Sequence, residues 1–384
     1  MDSKRYNIYY YIAVFIISMK LMLDISRLIY IPEYIDNFLN FIFIFCMFIK
    51  LISIEFTQIS FVAYILIGLL CAYSNIKIGN YYIFMSYLGI ISCSDVDLKK
   101  VLKIALFTKT MILSIHIVYY IIRLCFNEEV FLIYRRNGFI RHTFGLAHPN
   151  SVGLIVLWIL LEILYLYYDQ LNIFSGISII SIGCLFFYFT DSKTLIITLI
   201  LTMALVACHK LNLKIITKGI FVFSKWGFSL LSLFFYTCMT MYRKSSGLLN
   251  IVLNKLDAIL SGRIRSASYV YERNGLTLLG RLLEFDNTWD DVYKLDFVVL
   301  DTAYSRLMLY EGIFYLIIFC IGFIALSNYT KTKDQIFIIS YLLYGISESI
   351  ITNAFLCFPL LFLGSLCLYK KQIIPKRKQI KIII

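Results

Sequence analysis

Three arginines and two histidines share one polar stretch, Arg135-Arg136-Asn137-Gly138-Phe139-Ile140-Arg141-His142-Thr143-Phe144-Gly145-Leu146-Ala147-His148-Pro149-Asn150, set between two long apolar runs. Arg135, Arg136 and Arg141 supply guanidinium groups, which stay charged when partly desolvated and grip phosphate oxygens two at a time. His142 and His148 add imidazoles able to donate, accept or titrate near neutral pH. No acid occurs between 130 and 150. These residue types together point to an anionic partner or to acid–base work. The plainer alternatives are ion pairs with distant acids such as Asp286, Asp290, Asp291 and Asp296, or contact with lipid headgroups.

The elements that must position this stretch are membrane helices. Of 384 residues, 60% are hydrophobic and 15% charged, and the mean hydropathy is +0.81. No soluble domain of this size hides that much apolar surface, so lipid is the solvent for most of the chain. The 30 tyrosines and 32 phenylalanines against 4 prolines fit spans rich in interfacial aromatics. The ten cysteines lie in or at the ends of apolar runs, without metal-ligand spacing, and read as inert thiols. Lys4-Arg5 precede an apolar run with no small-residue cleavage site, which reads as a first span rather than a cleavable signal.

Counting runs of roughly 20 apolar residues predicts about twelve spans, near 8–23, 36–54, 57–73, 79–93, 101–126, 151–168, 172–189, 195–209, 219–241, 302–326, 336–352 and 354–369. The last two could instead be one span and a re-entrant piece. With a cytoplasmic N-terminus, alternation puts Lys99-Lys100-Lys103, Lys210-Lys214-Lys218, Lys331-Lys333 and the lysine-rich tail inside, as the positive-inside rule asks. Both termini are then cytoplasmic. The arginines behave oppositely: Arg27, Arg123, Arg135, Arg136, Arg141, Arg243, Arg263, Arg265, Arg273, Arg281 and Arg306 fall in or beside outer loops. Topology alone does not select lysine within and arginine without.

The chain reads as a single integral membrane domain, 1–384, with outer loops at 127–150 and 242–301. The second loop is far longer than a connector needs, and long structured loops usually carry function. After Ser245-Ser246, the residues Leu248, Leu249, Ile251, Val252, Leu256, Ile259 and Leu260 recur at helical spacing until Gly262, which predicts an amphipathic helix. A second helical piece is expected near 264–273, before a turn at Asn274-Gly275.

Four local patterns resemble those of Wzy-type polysaccharide polymerases, a family related to the O-antigen ligases. Phe144-Gly145-Leu146-Ala147-His148-Pro149-Asn150 opens a span and is close to an FGF-x-HPN run of capsule polymerases. Thr190-Asp191-Ser192-Lys193-Thr194 stands where the family carries Ser-Arg at the head of a span, with Lys193 in place of the arginine. Leu260-Ser261-Gly262-Arg263 lies in the large loop, and Leu300-Asp301-Thr302-Ala303-Tyr304 with Tyr310-Glu311-Gly312 is similar to the exit from it, where Asp301-Thr302 replaces a His-Asn pair. The motifs cover about 140 to 315, and only hydropathy extends the resemblance beyond.

The resemblance implies an all-α polytopic membrane protein of GT-C-like kind in a bacterial cytoplasmic membrane. It implies transfer of a glycan from undecaprenyl pyrophosphate to a hydroxyl of a second lipid-linked repeat unit, for capsule or O-antigen synthesis. Such a reaction needs cationic donors for the leaving pyrophosphate and a base for the acceptor hydroxyl. The expected substrate-binding residues are Arg135, Arg136, Arg141, His142, Asn150, Lys193, Arg263, Arg273 and Tyr304. Asp301 and His148 compete as base. Asp301 sits where the long loop re-enters the membrane, so desolvation would raise its pKa, unless it only pairs with Arg306 or a loop arginine. His148 before Pro149 also suits a first helical turn that hydrogen-bonds backbone. Asp191, Glu311 and Glu348 are further candidates as ionisable groups in apolar surroundings, whereas His116 and His209 read as packing residues. No metal, cofactor, nucleotide sugar or nucleic acid is called for. Membrane lipid, a flippase and a chain-length regulator are the implied partners. A lipid-linked oligosaccharide flippase is the alternative from another class, and a polysaccharide ligase the alternative within the superfamily. A flippase should show charges along a central cavity, short loops and related halves, whereas this sequence has few mid-span charges, a long outer loop and no visible half repeat.

Overall fold

The computed structural model describes residues 3–79, 81–126, 128, 130–135, 138–283, 300–366 and 379–380. Arg136 and the acids Asp286, Asp290, Asp291 and Asp296 lie outside the described residues. The helices are α1 (Ser3–Asp24), α2 (Glu33–Ile52), α3 (Gln58–Ile78), α4 (Tyr82–Ser92), α5 (Leu98–Cys125), α6 (Pro149–Leu166), α7 (Ile173–Thr190), α8 (Lys193–Lys210), α9 (Lys214–Met241), α10 (Gly247–Ile259), α11 (Arg263–Asn274), α12 (Ala303–Arg306), α13 (Ile313–Leu326) and α14 (Thr332–Tyr344). Strand among the described residues is confined to short pairs, chiefly a hairpin of Leu132–Tyr134 with Ile140–His142.

Eight of these helices, α1, α2, α3, α5, α6, α7, α8 and α9, are long and apolar enough to cross a membrane. Their surfaces are inverted relative to a soluble protein. On α2, Phe38, Phe41, Phe45 and Phe48 form an exposed stripe, whereas Asn40 and Lys50 are buried with Phe43 and Met47 on the other face. Only a lipid surround makes that stripe tolerable, and only internal partners make the buried charge so. Lys50 finds one in Asp95, at 2.6 Å. The chain is an all-helical, multi-pass membrane protein.

It divides into two compact units. The first comprises Met1–Gln58, Leu88–Leu211 and Ala354–Ile384. Here α5 packs against α1 and α6, and α6 against α7 and α8. Along α6 all but five residues are buried, including Trp158 and Glu162. Three lysines form internal ion pairs: Lys20 with Asp24 and Asp36 (2.7 and 2.6 Å), Lys50 with Asp95, and Lys109 with Glu162. The Lys109 ammonium also donates to the Phe355 carbonyl, fastening the segment that follows Asn353.

The second unit comprises Ile59–Tyr87 and Asn212–Asn353. Its centre is α9, flanked by α11, α12, α13 and α14. Phe228 and Phe235 of α9 pack on Tyr304, and Phe228 also on Phe323. The helices expected in the large loop are present as α10 and α11. Leu253 of α10 joins Cys238 and Ile264 in a small core, while Leu248, Leu249, Ile251, Val252 and Ile259 remain exposed.

Nine expected spans coincide with α1 to α9, although the 11 residues of α4 are too few to cross alone. The tenth, 302–326, is broken into α12, a π turn over Leu307–Glu311, and α13. The eleventh stops at Tyr344 of α14. The twelfth, 354–369, departs most: its described part forms 3-10 turns over Phe358–Gly364, buried in the first unit. Pro359 explains this, since it lacks an N–H and biases the preceding residue away from α. Crowding adds to it, because the Phe355 ring stands edge-on to Phe43 at 5.3 Å and Phe358 edge-on to Trp158 at 5.9 Å.

Candidate functional site: a cationic cluster and a carboxylate cluster

The hairpin explains how two arginines six residues apart act together. Its register pairs Leu132 with His142, Ile133 with Arg141 and Tyr134 with Ile140, and Arg135 N–H donates to Phe139 C=O at 3.0 Å. Alternation along strands then places Arg135 and Arg141 on one face. That face meets the α7–α8 turn. Arg135 Nε lies 2.5 Å from Asp191 Oδ2, and its Nη2 donates to the Asp191 carbonyl at 3.2 Å. Buried Arg141 donates to the Thr190 carbonyl at 2.7 Å and to Asn150 Oδ1 at 2.6 Å. Asp191 can present both oxygens because it caps α7 in the left-handed region, at φ 47°. Two stretches 40 residues apart in sequence thus form one cluster.

His148 is the N-cap of α6: its Nδ1 accepts the Asn150 N–H at 3.1 Å. Nδ1 being an acceptor, the proton of the neutral ring sits on Nε2, which is then a donor. Burial, and then the charges of Arg141, Arg27 and Arg135, hold its pKa down at about 4. At neutral pH His148 is therefore an uncharged N–H donor among arginines. His142 differs. Its Nδ1 is 2.7 Å from the Tyr120 hydroxyl, its ring packs on Phe144 and Phe189, and burial lowers its pKa. It braces an aromatic cluster. Lys193 opens α8 exposed and has no ion-pair partner among the described residues.

Close packing at this point depends on a glycine. A Cβ on Gly153, in the first turns of α6, would lie 2.5 Å from Ser192 Cβ. Without it, the first turns of α6 and α8 converge, and helix N-termini favour anions. Gly153→Ala is expected to push the 190–192 turn away. The cost should be about 1–3 kcal/mol of stability, read as a lower unfolding temperature in detergent; an unchanged temperature would mean that the turn is not seated on α6.

The second cluster belongs to the second unit. Asp301 precedes α12, with its carboxylate 3.6 Å from Arg263 and its side chain 39% exposed. Burial raises its pKa above the ordinary aspartate value, and Arg263 and then Arg306 only partly offset this. Arg263 opens α11 after Gly262 (φ 84°) and also donates to the Leu260 carbonyl at 3.1 Å. Arg306 stacks over Tyr310 at 4.9 Å, and reaches Glu311 at 3.3 Å and Ser349 at 3.5 Å. Buried Glu311 also accepts from Thr352 at 3.4 Å and ends the π turn, an irregularity found often at functional sites.

Of the expected site residues, Arg135, Arg141, His148 and Asn150 come together around the 190–193 turn. Asp301 and Arg263 meet in the other unit. Tyr304 does not present itself to a substrate: it is fully buried, stacked on Phe235 at 5.5 Å, and its hydroxyl is donated to the Leu342 carbonyl at 2.7 Å. An aromatic ring in a helix facing α9 is drawn into the core. Arg273 stacks on Tyr269 at 4.5 Å in the last turn of α11. Sequence reasoning did not place Arg27 or Arg306 in a site, because no local spacing connects them to His148 or Glu311. Among the described residues, no group of three or more His, Cys, Asp or Glu could hold a metal ion. Comparison with family models, with curated proteins and with solved structures gives no match.

Proposed function

We propose that the chain is a glycosyltransferase of the polysaccharide-polymerase kind. It joins undecaprenyl-pyrophosphate-linked oligosaccharide repeat units on the outer face of a bacterial cytoplasmic membrane, giving a capsular or O-antigen-type polysaccharide. The proposal includes about twelve membrane-embedded segments in a GT-C-like arrangement, cytoplasmic termini, and outer loops at 127–150 and 242–301. The observation that carries it is the assembly of Arg135, Arg141, His148 and Asn150 with the 190–193 turn, a cationic cluster with one carboxylate, Asp191. Arginines there would hold the leaving pyrophosphate without a metal, and Asp301 would take the proton of the acceptor hydroxyl. Arg263, beside Asp301, and Arg273, at the other end of α11, would bind the substrates, and Lys193 and Arg136 would add charge for the pyrophosphate.

Deleting the gene tests the reading. Polymer should vanish while single lipid-linked repeat units persist on the outer face. Accumulation on the cytoplasmic face would make the protein a flippase, and intact polymer left unattached to its acceptor would make it a ligase. Reporter fusions supply the second check. Fusions within α10 and α11 are expected to report the outer side, and a cytoplasmic signal would end the proposal, because the substrate would lie across the membrane.

A further inference from the structure

We propose that Arg27, from the α1–α2 connection, is a direct ligand of a phosphate-bearing anion beside His148, completing the cluster of Arg135 and Arg141. This rests on the anion-binding part of the reading above, not on polymerisation.

The α1–α2 connection is fastened to the span-opening run by several independent bonds. Arg27 N–H donates to Gly145 C=O at 2.9 Å, and Ala147 N–H donates to Ile25 C=O at 2.7 Å. Ser26 Oγ accepts the N–H groups of Leu28 and Ile29 at 3.1 and 3.2 Å, and lies 2.8 Å from His116 Nε2. His116 Nδ1 is 2.8 Å from the Ile112 carbonyl, which can only accept, so Nε2 is the acceptor for the serine hydroxyl. Gly145 makes the fit possible. It sits at φ 79°, and a Cβ there would lie 2.6 Å from Leu28 Cδ1. So much fastening at the residue before Arg27 and at its own backbone fixes where its side chain starts.

The guanidinium of Arg27 then lies over the Phe131 ring, its carbon 3.6 Å from the centroid. Stacking occupies one face and leaves the in-plane N–H edge free. Arg135 is paired with Asp191, and Arg141 is held by Thr190 and Asn150. Among the described residues Arg27 has no carboxylate partner and no side-chain hydrogen bond. Among the described arginines of this cluster it is the one with its donors uncommitted, and its side chain is exposed. The run to which its backbone is bonded, Gly145 to Ala147, leads directly into His148, with its Nε2 donor, and the N-terminus of α6. An uncommitted guanidinium, a neutral N–H donor and a helix N-terminus suit a phosphate oxygen, which accepts several hydrogen bonds at once. A phosphate can come from a free or lipid-linked pyrophosphate, or from the headgroup of an anionic phospholipid.

The test titrates inorganic pyrophosphate into detergent-purified full-length protein by calorimetry. In parallel, it measures the phosphatidylglycerol retained from phosphatidylglycerol–phosphatidylcholine nanodiscs. Arg27→Ala should weaken the affinity about tenfold or more, the scale of a charge-assisted hydrogen bond. Arg27→Lys should fall between, and it supplies the reading if the alanine variant does not fold. Arg123→Ala, whose side chain pairs with Glu128 at 2.8 Å, should bind as the parent does. Retention of phosphatidylglycerol that depends on Arg27, with no pyrophosphate binding, would support the site and assign it to a headgroup. If the parent binds pyrophosphate and Arg27→Ala binds it equally, the proposal for Arg27 falls and the cluster stands. If the parent binds neither, the anion site itself is refuted.

Discussion

Asp301→Asn is expected to lower polymer formation by roughly 10²–10⁴-fold, the usual contribution of a general base, while leaving the protein folded and able to bind lipid-linked substrate. The substitution keeps shape and one acceptor oxygen but removes the basic one. Its structural cost should be small, because the carboxylate is partly exposed and its Arg263 partner is at 3.6 Å, long for a tight pair. The pH profile adds a second reading. Asp301 must be ionised to accept a proton, and burial sets its pKa above the ordinary aspartate range. Activity should therefore fall as pH falls through that raised value, and this acid limb should vanish in the asparagine variant. His148 is a poor base here, since burial and the neighbouring arginines hold its pKa down at about 4 and its Nδ1 is committed to the α6 N-cap. His148→Ala should reduce turnover less, by the loss of a donor and a cap. Turnover of purified lipid-linked repeat units by both variants, at matched protein level, decides the matter. Near-normal turnover with Asp301→Asn beside an inactive His148→Ala would make the histidine the base.

How far the molecule was legible in its sequence depended on the range of the interaction. Long apolar runs are local, and they gave α1 to α3 and α5 to α9 within a few residues. Gly262 and Asn274-Gly275 are local too, and they mark the ends of α10 and α11. Hydropathy misread the chain where burial in protein replaced burial in lipid. Phe355 and Phe358 are apolar because Phe43, Trp158 and Tyr165 pack on them inside the protein, not because they belong to a lipid-facing helix. Tyr304 was misread for the same reason, its hydroxyl finding a carbonyl inside the second unit. In the site, the residue types around His148 were visible, and so was the absence of a nearby acid. That Asp191 would come from the α7–α8 turn to meet Arg135 was not visible, because 56 residues separate them. Arg27 is the extreme case. Its placement depends on a serine–histidine bond across 90 residues and on a glycine that admits Leu28.

Replacing Arg141 should have the largest effect in the cationic cluster, and lysine should not rescue it. Arg141 is the buried arginine of the cluster. Its guanidinium joins the hairpin to the Thr190 carbonyl and to Asn150 Oδ1 in the first turn of α6. Arg141→Ala would leave both acceptors unpaired, at about 1–3 kcal/mol each, and would free the hairpin that carries Arg135. Arg141→Lys keeps the charge but offers one ammonium at one point, where the planar fork spans two acceptors on different elements. Both variants should therefore unfold at a lower temperature and bind pyrophosphate more weakly, with turnover reduced by roughly 10²-fold or more if both unpaired costs fall on the active arrangement. Arg135→Lys should be milder, since both acceptors of Arg135 belong to the single residue Asp191 and the arginine is already partly exposed. The comparison of the two lysine variants carries the argument. Equal losses would mean that the bridge made by Arg141 counts for no more than the pairing of Arg135 with Asp191, and no loss in either would mean that charge alone matters in this cluster. Full turnover with Arg141→Lys would show that the link between the hairpin and α6 has no part in the reaction.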